Sequence, residues 1–200
     1  MPCLTPAYRA VRPLLFQFQP ETAHGLAFAC GRAFQSVPGG TSLLATLAGA
    51  PAPDLAREVC GLRFPSPVGL AAGLDKGAEL LPLWKALGFG FVEIGTITPR
   101  PQPGNPKPRC FRIPEEALIL NRMGFNSEGA EVVARRLDRR PAGLIVGGNL
   151  GKNKLTPDEG ALDDYRAAYR LIAPRVDYIA INVSSPNTPG LRKLQAPEFL

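Results

Sequence analysis

Residues 69–77 read GLAAGLDKG, an apolar run that passes within a few residues into a glycine-rich loop bearing one lysine. Three later stretches repeat this pattern of an apolar run of strand length followed by glycines or small polar residues. The four runs span residues 67–72, 89–95, 144–148 and 178–183, and the segments 78–87, 127–137 and 157–172 between them have helical spacing. This alternation predicts successive βα units and a parallel sheet.

Glycines and polar residues follow each predicted strand at the end where the chain leaves the sheet. They include Gly73, Thr96, Asn149 and Asn182. A (β/α)8 barrel builds its active face in this way, from the carboxyl ends of its strands. Because a complete barrel needs eight strands and four are visible, we predict an α/β fold in which residues 41–200 form the first half of a (β/α)8 TIM barrel, about four βα units.

Residues 1–40 follow a different pattern, in which apolar side chains recur at helical spacing. The apolar positions are Tyr8, Val11, Leu14, Leu15 and Phe18, followed after Pro20 by Leu26, Phe28, Ala29 and Phe34. We predict an N-terminal amphipathic helical hairpin ahead of the barrel. Two interpretations stay open: the hairpin packs on the main domain, or it lies in the membrane interface with Arg9 and Arg12 at the headgroups.

The composition narrows the range of partners. The formal net charge is +6, and a basic surplus of this size suits a phosphate ligand, an anionic substrate, an anionic membrane or nucleic acid. Nucleic acid has the least support, because no Lys/Arg run is interleaved with aromatic residues and no zinc-finger spacing occurs. We expect no nucleic-acid partner.

The cysteines indicate neither a metal nor a disulfide framework. Cys3, Cys30, Cys60 and Cys110 form no CxxC pair, and His24 is the one histidine. We therefore expect no metal, and reduced thiols in a cytoplasmic setting. The sequence also has no signal-peptide pattern and no apolar run of about 18 residues, so neither cleavage for secretion nor a spanning helix is expected.

Three polar clusters carry the candidate chemistry. Residues 69–77 bring small residues and the Lys76 cation together, which suits a planar anionic ligand. Residues 121–126 (NRMGFN) combine asparagines with Phe125, which suits the imide edge and the face of a pyrimidine. Residues 182–192 (NVSSPNTPGLR) supply amides and hydroxyls in a proline-stiffened loop, including a hydroxyl that could handle a proton. Each cluster alone is also compatible with an ordinary turn.

Five runs in order carry a family resemblance: GLAAGLDK, GFGFVEIGTITPRPQPGNPKPR, NRMGFNSEG, NLGKNK and INVSSPNTPGLRKLQ. Together they resemble the successive motifs of the quinone-linked (class 2) dihydroorotate dehydrogenases, and the match extends over residues 62–195. This resemblance implies a flavoprotein of pyrimidine (UMP) biosynthesis that oxidises (S)-dihydroorotate to orotate with FMN. In that reaction a proton leaves C5, a hydride passes from C6 to flavin N5, and ubiquinone or menaquinone reoxidises the flavin.

The resemblance also implies two sets of binding residues. FMN contacts are expected from Ala72, Gly73, Leu74, Asp75, Lys76, Thr96, Asn149 and Asn182. Dihydroorotate contacts are expected from Lys76, Asn121, Arg122, Met123, Gly124, Phe125, Asn182 and Asn187. A cation such as Lys76 near the flavin pyrimidine edge stabilises negative charge on the reduced ring.

Ser185 is the catalytic base that the resemblance implies. A serine hydroxyl is a weak base at neutral pH, so a relay is needed, and Thr188 is the candidate. The soluble, fumarate-linked branch of the family uses a cysteine here, and no cysteine lies in the 182–188 loop.

The membrane-bound branch uses its N-terminal hairpin to admit quinone, and His24 and Arg112 fall where that class lines its quinone tunnel. We therefore expect peripheral attachment to the cytoplasmic side of the cell membrane through the N-terminal helices. The alternatives are a soluble-class dihydroorotate dehydrogenase, another FMN-dependent (β/α)8 oxidoreductase, or an inactive fragment that associates only with membrane.

The family pattern continues beyond residue 200, into a second half-barrel that supplies further flavin and substrate contacts. A half-barrel exposes strand edges that a closed barrel hides. We therefore expect the isolated 200-residue chain to bind FMN weakly or not at all and to aggregate.

Overall fold

The computed structural model describes residues 4–49, 51–187 and 191–196, and its N-terminal part is helical. The helices are α1 (Leu4–Leu15), α2 (Pro20–Gln35) and α3 (Gly40–Ala48). Helix α2 starts at Pro20, where the missing N–H would have no intrahelical acceptor, and Glu21 in the first turn complements the helix dipole. The predicted hairpin region thus contains two helices, and the third, α3, places the end of the helical segment at Ala48 rather than at residue 40.

The rest of the described chain is built from strands and three further helices. The strands are β1 (Arg57–Val59), β2 (Leu62–Phe64), β3 (Phe91–Ile97), β4 (Cys110–Ile113), β5 (Leu118–Asn121), β6 (Ile145–Leu150) and β7 (Tyr178–Ile181). The helices are α4 (Leu81–Ala86), α5 (Ala130–Leu137) and α6 (Ala161–Ile172). Each helix lies inside a segment predicted to be helical, and each strand of the parallel sheet follows such a segment.

Strands β3, β6 and β7 form a parallel sheet in that order. Phe91 pairs with Ile145 in the first ladder, and Gly147 pairs with Tyr178 in the second. Most residues of β3 and β6 are buried on both faces, which explains why these strands read as nearly continuous apolar runs, whereas β7 at the edge is partly exposed. Within the described residues the sheet is open and does not close into a barrel.

The first predicted strand, residues 67–72, does not form a regular strand, and that part of the prediction is wrong. The segment still lies parallel to β3, because Leu70 N–H donates to Phe91 O over 2.9 Å and Gly73 N–H donates to Gly95 O over 2.9 Å. Two residues explain the irregularity. Pro67 has no N–H to give to a ladder, and the backbone at Gly69 passes so close to the Phe91 ring that a Cβ would lie 2.3 Å from it.

The core lies between the sheet and helices α4, α5 and α6. Its fully buried side chains include Leu81, Val92, Ile94, Val133, Leu137, Val146, Leu150 and Ile172. Burying a side chain of this size contributes about 1.5–3 kcal/mol by the hydrophobic effect. The packing fixes the sheet against its helices, and so fixes the positions of the loops that leave its carboxyl edge.

Two antiparallel hairpins were not predicted. Strands β1 and β2 form one, and β4 and β5 form the other, with Cys110 opposite Asn121. The second hairpin lies between the predicted strand 89–95 and the predicted helix 127–137, in a stretch that was assigned to neither, and residues such as Ile119 are exposed on it. Among the described residues, no helix combines the length and the apolar character needed to cross a membrane.

Candidate functional site

A cavity of about 950 Å³ opens at the carboxyl ends of the parallel strands, beneath α2 and the β4–β5 hairpin. Most of the residues predicted from the sequence line it. They are His24, Ala72, Gly73, Leu74, Lys76, Thr96, Arg112, Asn121, Met123, Gly124, Phe125, Asn182, Ser185 and Asn187. The structure therefore brings the three sequence clusters and the N-terminal helices to one place.

A chain of polar side chains links the three strands at the base of this cavity. Thr96 Oγ1 donates to Asn149 Oδ1 over 2.6 Å, and Asn182 Nδ2 donates to Thr96 Oγ1 over 2.9 Å. Asn149 Nδ2 donates in turn to Glu93 Oε1 over 2.9 Å, and the Tyr178 hydroxyl donates to the other oxygen of Glu93. Burial and the Glu93 carboxylate raise the pKa of Tyr178, so this hydroxyl stays protonated as a donor.

This chain differs from the prediction in one respect. Asn149 does not line the cavity; it lies one layer behind Thr96 and Asn182 and orients both. Glu93 and Tyr178 were missed; the one charged residue inside an apolar strand is the signal that could have found Glu93, whereas Tyr178 reads as an ordinary strand aromatic.

Lys76 is a cation held in a largely buried position. Its Nζ donates to Asn126 Oδ1, an asparagine of the second cluster that was not among the predicted site residues. Burial lowers the pKa of Lys76 to about 8, and the positive charge of Arg109 acts in the same direction. Near neutral pH the lysine therefore carries its charge in a site that favours an anionic partner.

Arg109 is the most deeply enclosed charged group on the wall of the cavity, with 6% of its side chain exposed. Its Nη2 and Nε donate to the two carboxylate oxygens of Glu21 over 2.6 and 3.1 Å. Its Nη1 donates to Pro103 O and to Asn105 O. Arg109 thus joins the first turn of α2 to the loop before β4, and its hydrogen bonds lower the pKa of Glu21.

The loop that carries Ser185 is shaped by its own side chains. Asn182 Oδ1 accepts from the N–H of Ser184 over 3.2 Å, and Ser185 Oγ accepts from the N–H of Asn187 over 3.2 Å. Asn187 O also accepts from Asn105 Nδ2 over 3.4 Å, which connects the loop to the one that Arg109 holds. Ser185 is half-buried and lines the cavity. Thr188, the predicted relay, lies outside the described residues.

Two predicted binding residues direct their charged groups elsewhere, which corrects the prediction for their side chains. The carboxylate of Asp75 is completely buried and accepts from the N–H groups of Glu79 and Leu80 and from Trp84 Nε1. It holds the turn that leads into α4 and fixes Trp84 of that helix. The guanidinium of Arg122 donates to Pro108 O and lies over the Phe111 ring, outside the cavity lining.

The predicted quinone-tunnel residues lie at the side of the cavity formed by the N-terminal helices. His24 Nε2 is 3.0 Å from Leu74 O, and the imidazole stacks on Phe28 with the ring centroids 4.2 Å apart. Arg112 Nη1 donates to Phe18 O over 2.8 Å, and its guanidinium lies 4.7 Å from the centroid of the Phe16 ring. These contacts attach α2 and the connection between α1 and α2 to the loops of the site.

The cavity has the features that a flat aromatic cofactor requires. Gly73 has φ of +105°, and a Cβ built there would meet nothing within 4 Å, so the backbone faces open space at the cavity wall. Thr96 and Asn182 present polar atoms nearby, and Phe125 presents an apolar surface. In the described part of the chain, no group of three or more His, Cys, Asp or Glu residues could hold a metal ion.

The fold and the site define a class: α/β proteins whose ligand cavity lies at the carboxyl ends of parallel strands. The family model for dihydroorotate dehydrogenase matches residues 54–200. The chain belongs to the dihydroorotate dehydrogenase family.

Relatives and solved structures agree with this assignment. The dihydroorotate dehydrogenase (quinone) of Mycobacterium tuberculosis (strain H37Rv) is 52% identical over 96% of this chain and 54% of its own length. The enzyme of the same name from Acidithiobacillus ferrooxidans is 54% identical over 97% of this chain and 54% of its own length. The chain therefore spans about half the length of the curated relatives it matches.

A solved structure supports the fold. The crystal structure of DHODH from Eimeria tenella in complex with ferulenol matches with a TM-score of 0.73 and 42% identity. The match covers 90% of this chain and 48% of that chain.

Proposed function

We propose that the complete gene product containing residues 1–200 oxidises dihydroorotate to orotate in pyrimidine biosynthesis, with FMN as its cofactor and quinone as the electron acceptor. One observation carries the proposal: Lys76, Asn121, Asn182 and Ser185, which come from three separate segments, converge on a single cavity. The curated relatives named above are quinone-linked dihydroorotate dehydrogenases, which supports this choice. The βα units of residues 41–200 are then successive units of a (β/α)8 barrel.

FMN would be held by the wall formed by Ala72 and Gly73, with Lys76, Thr96 and Asn182 supplying polar contacts. When bound, FMN accepts the hydride of the substrate and passes its electrons to quinone. The open space at Gly73 admits the edge of a ring without contact to a Cβ. The ammonium of Lys76 would stabilise negative charge that develops at this edge.

Dihydroorotate carries a carboxylate and an imide, and the cavity offers a match for each. The Lys76 cation suits the carboxylate, and the amides of Asn121, Asn182 and Asn187 can donate and accept at the imide edge. The hydrogen bonds of Asn182 to Thr96 and of Asn187 to Ser185 restrict these residues before any ligand binds. Preorganised donors of this kind lower the cost of ordering on binding.

Ser185 would remove the proton from C5. The N–H of Asn187 donates to Ser185 Oγ and would stabilise the negative charge that develops there as its own proton leaves. We assign Thr188 the task of receiving that proton, directly or through water.

Quinone would reach the site along α1 and α2, past His24 and Arg112. Val11 and Leu14 are exposed on α1, Phe18 is exposed just after it, and Arg12 lies between Val11 and Leu14 in sequence. An apolar helix face bordered by arginines suits the headgroup boundary of a bilayer. We therefore propose peripheral attachment at the cytoplasmic face, with ubiquinone or menaquinone as the acceptor.

The test uses two neighbouring serines of the same loop. The complete gene product is given dihydroorotate and a quinone-linked dye, and Ser185→Ala should lower the rate of dye reduction by about 100-fold or more while keeping its flavin. Ser184→Ala is the matched control: Ser184 also lines the cavity, but its hydroxyl bonds to Asn182 Oδ1. Equal losses in both variants would show that Ser185 has no special role.

Two further assays, one with other electron acceptors and one with a shorter protein, distinguish the alternative functions. Turnover with fumarate or a nicotinamide nucleotide, and none with quinone, would indicate a soluble-class enzyme or another flavin oxidoreductase. The same assay on residues 1–200 alone tests the inactive-fragment alternative, in which flavin binding and turnover are absent and only membrane association is left.

A further inference from the structure

A second cavity, of about 540 Å³, lies on the outer side of the fold, between α2, α4 and α5. Four arginines line it: Arg32 from α2, and Arg135, Arg136 and Arg139 from α5 and the residues just after it. None of these residues lines the candidate active site. Glu79 lines both cavities, so the second cavity, called the arginine cleft below, adjoins the candidate active site but has its own set of basic residues.

The arginine cleft has a surplus of positive charge. Arg32 pairs with Glu79, which also lines the cleft, and Arg136 makes two hydrogen bonds to Glu128. Within the described residues, neither Arg135 nor Arg139 has an acidic partner. Two pairs neutralise two of the four arginines, so a charge of about +2 is left facing one concave space. Like charges held together in this way favour an anion between them.

A buried oxygen in the same cleft narrows the chemistry of that anion. Gln35 Oε1 is the one buried side-chain nitrogen or oxygen without a hydrogen-bond partner in the described part of the chain. The amide nitrogen of Gln35 donates to Glu79 O over 2.8 Å, which fixes Oε1 as the free acceptor. A buried acceptor without a donor is unfavourable. A ligand that carries a negative charge and a hydroxyl or other donor would satisfy both the arginines and this oxygen, once the Gln35 side chain turns Oε1 toward the open space of the cleft.

The surroundings of the cleft indicate where such a ligand comes from. Phe34 and Val37 flank Gln35 in sequence and are 39% and 55% exposed. Leu43 and Leu47 of α3, which packs on α2 and α4, are 60% and 75% exposed. An exposed apolar surface next to an arginine cluster matches a lipid, whose acyl chains adjoin a phosphate.

We propose that the arginine cleft binds the phosphoglycerol headgroup of an anionic phospholipid. Arg135 and Arg139 hold the phosphate, and Gln35 Oε1 accepts a hydrogen bond from a glycerol hydroxyl. This proposal rests on the proposed membrane attachment in one respect, because the membrane would supply the headgroup. It adds to that contact a defined site with a preference among lipids.

The first experiment compares lipids that differ in one group. Binding of the complete gene product is measured on vesicles that contain equal fractions of phosphatidylglycerol or of phosphatidylmethanol, which has the same charge and no hydroxyl on its headgroup. We expect phosphatidylglycerol to bind about fivefold more tightly, the effect of one added hydrogen bond. Equal affinity for the two lipids would overturn the assignment of Gln35.

The second experiment changes the cleft. Arg135→Gln with Arg139→Gln should weaken binding to phosphatidylglycerol vesicles by about tenfold or more, since each basic side chain near an anionic surface strengthens binding several-fold. The matched control is Arg166→Gln with Arg170→Gln, an exposed i,i+4 pair on α6 that does not line the cleft. Similar losses in the two double variants would mean that only the overall charge matters, and would refute a site.

A third variant tests the hydroxyl contact directly. Gln35→Leu should abolish the preference for phosphatidylglycerol and keep the preference for anionic over neutral vesicles. A retained lipid preference in this variant, with dye reduction showing that it is folded, would also contradict the proposal.

Two further measurements distinguish a failure of the lipid-site proposal from a failure of the proposed function. Dye reduction by the arginine variants should be unchanged, and binding to neutral phosphatidylcholine vesicles reports the apolar contact of α1 and α2 alone. Soluble glycerol phosphate serves as a competitor. If it binds with the same dependence on Arg135 and Arg139 while vesicle composition has no effect, the ligand is a soluble ester and the lipid assignment is wrong.

Discussion

The ion pair between Glu21 and Arg109 gives the sharpest quantitative prediction, because the Arg109 side chain is buried and the pair joins two distant parts of the chain. Replacing Arg109 with Gln removes four hydrogen bonds that its guanidinium donates, to the two oxygens of Glu21 and to the carbonyls of Pro103 and Asn105. Breaking a buried ion pair from one side costs about 3–5 kcal/mol. Glu21 keeps 24% of its side chain exposed, so water compensates it in part, and we expect about 3 kcal/mol.

The assay is denaturant unfolding of the complete gene product, read as a double-mutant cycle with Glu21→Gln. The coupling between Glu21 and Arg109 should be about 2 kcal/mol, well above the 0.2–1 kcal/mol typical of exposed pairs. Lys107→Gln is the internal control, because its Nζ is 3.5 Å from the same carboxylate but its side chain is 70% exposed. That variant should cost about 0.5 kcal/mol or less.

The pair also has a pH signature with a definite sign. Arg109 lowers the pKa of Glu21 below its usual 4.5, so the stabilisation is present above about pH 4.5 and is lost as the pH falls through the lowered value. In the Arg109→Gln variant, the free energy of unfolding should therefore change less as the pH falls below about 4.5. Coupling below about 0.5 kcal/mol, or a Lys107 effect as large as that of Arg109, would refute the reasoning.

Three other predictions concern single residues. Because burial lowers the pKa of Lys76 to about 8, kcat/KM for dihydroorotate should fall as the pH rises above that value, and Arg109→Gln should move the fall to higher pH in a steady-state pH profile. Gly147→Ala would place a Cβ 2.1 Å from the Tyr178 ring and should cost about 1–3 kcal/mol of unfolding free energy, whereas Gly25→Ala, with nothing within 4 Å, should raise the denaturation midpoint slightly. Asp75→Asn should cost about 2 kcal/mol and alter the fluorescence of Trp84, the single tryptophan of the chain, whose Nε1 donates to that carboxylate; an unchanged spectrum and midpoint would show that Asp75 does not hold the turn before α4.

The sequence predicted the parallel sheet well where burial on both faces leaves a continuous apolar run, as at 89–95. It failed for the segment 67–72, where the same apolar signal is present but Pro67 and the close approach of Gly69 to the Phe91 ring prevent a regular ladder. It also missed the β4–β5 hairpin, since the exposed residues of that hairpin show no alternation of polar and apolar side chains.

The site residues also divide into those that a local sequence pattern reveals and those that it does not. Lys76, Asn182 and Ser185 could be singled out because each belongs to a local polar run after a predicted strand, and the family resemblance implied their roles. Arg109 could not be recognised, because its partner Glu21 lies 88 positions away and neither residue stands in a polar cluster. How deeply an ion pair is buried depends on the packing of the folded chain, and a local sequence pattern does not contain that information.

The chain of side chains that crosses the base of the cavity has a consequence for folding as well as for binding. Strand β3 pairs Gly95 with Asn149, and β6 in turn pairs Asn149 with Ala180. A slip of one residue between any two of these strands would turn Asn149 to the opposite face and leave buried amides without partners. The hydrogen-bonded side chains that hold the cavity ready for its ligand therefore also disfavour misaligned pairing of the strands. A substitution among them that weakens ligand binding should also make the register of the sheet less well defined.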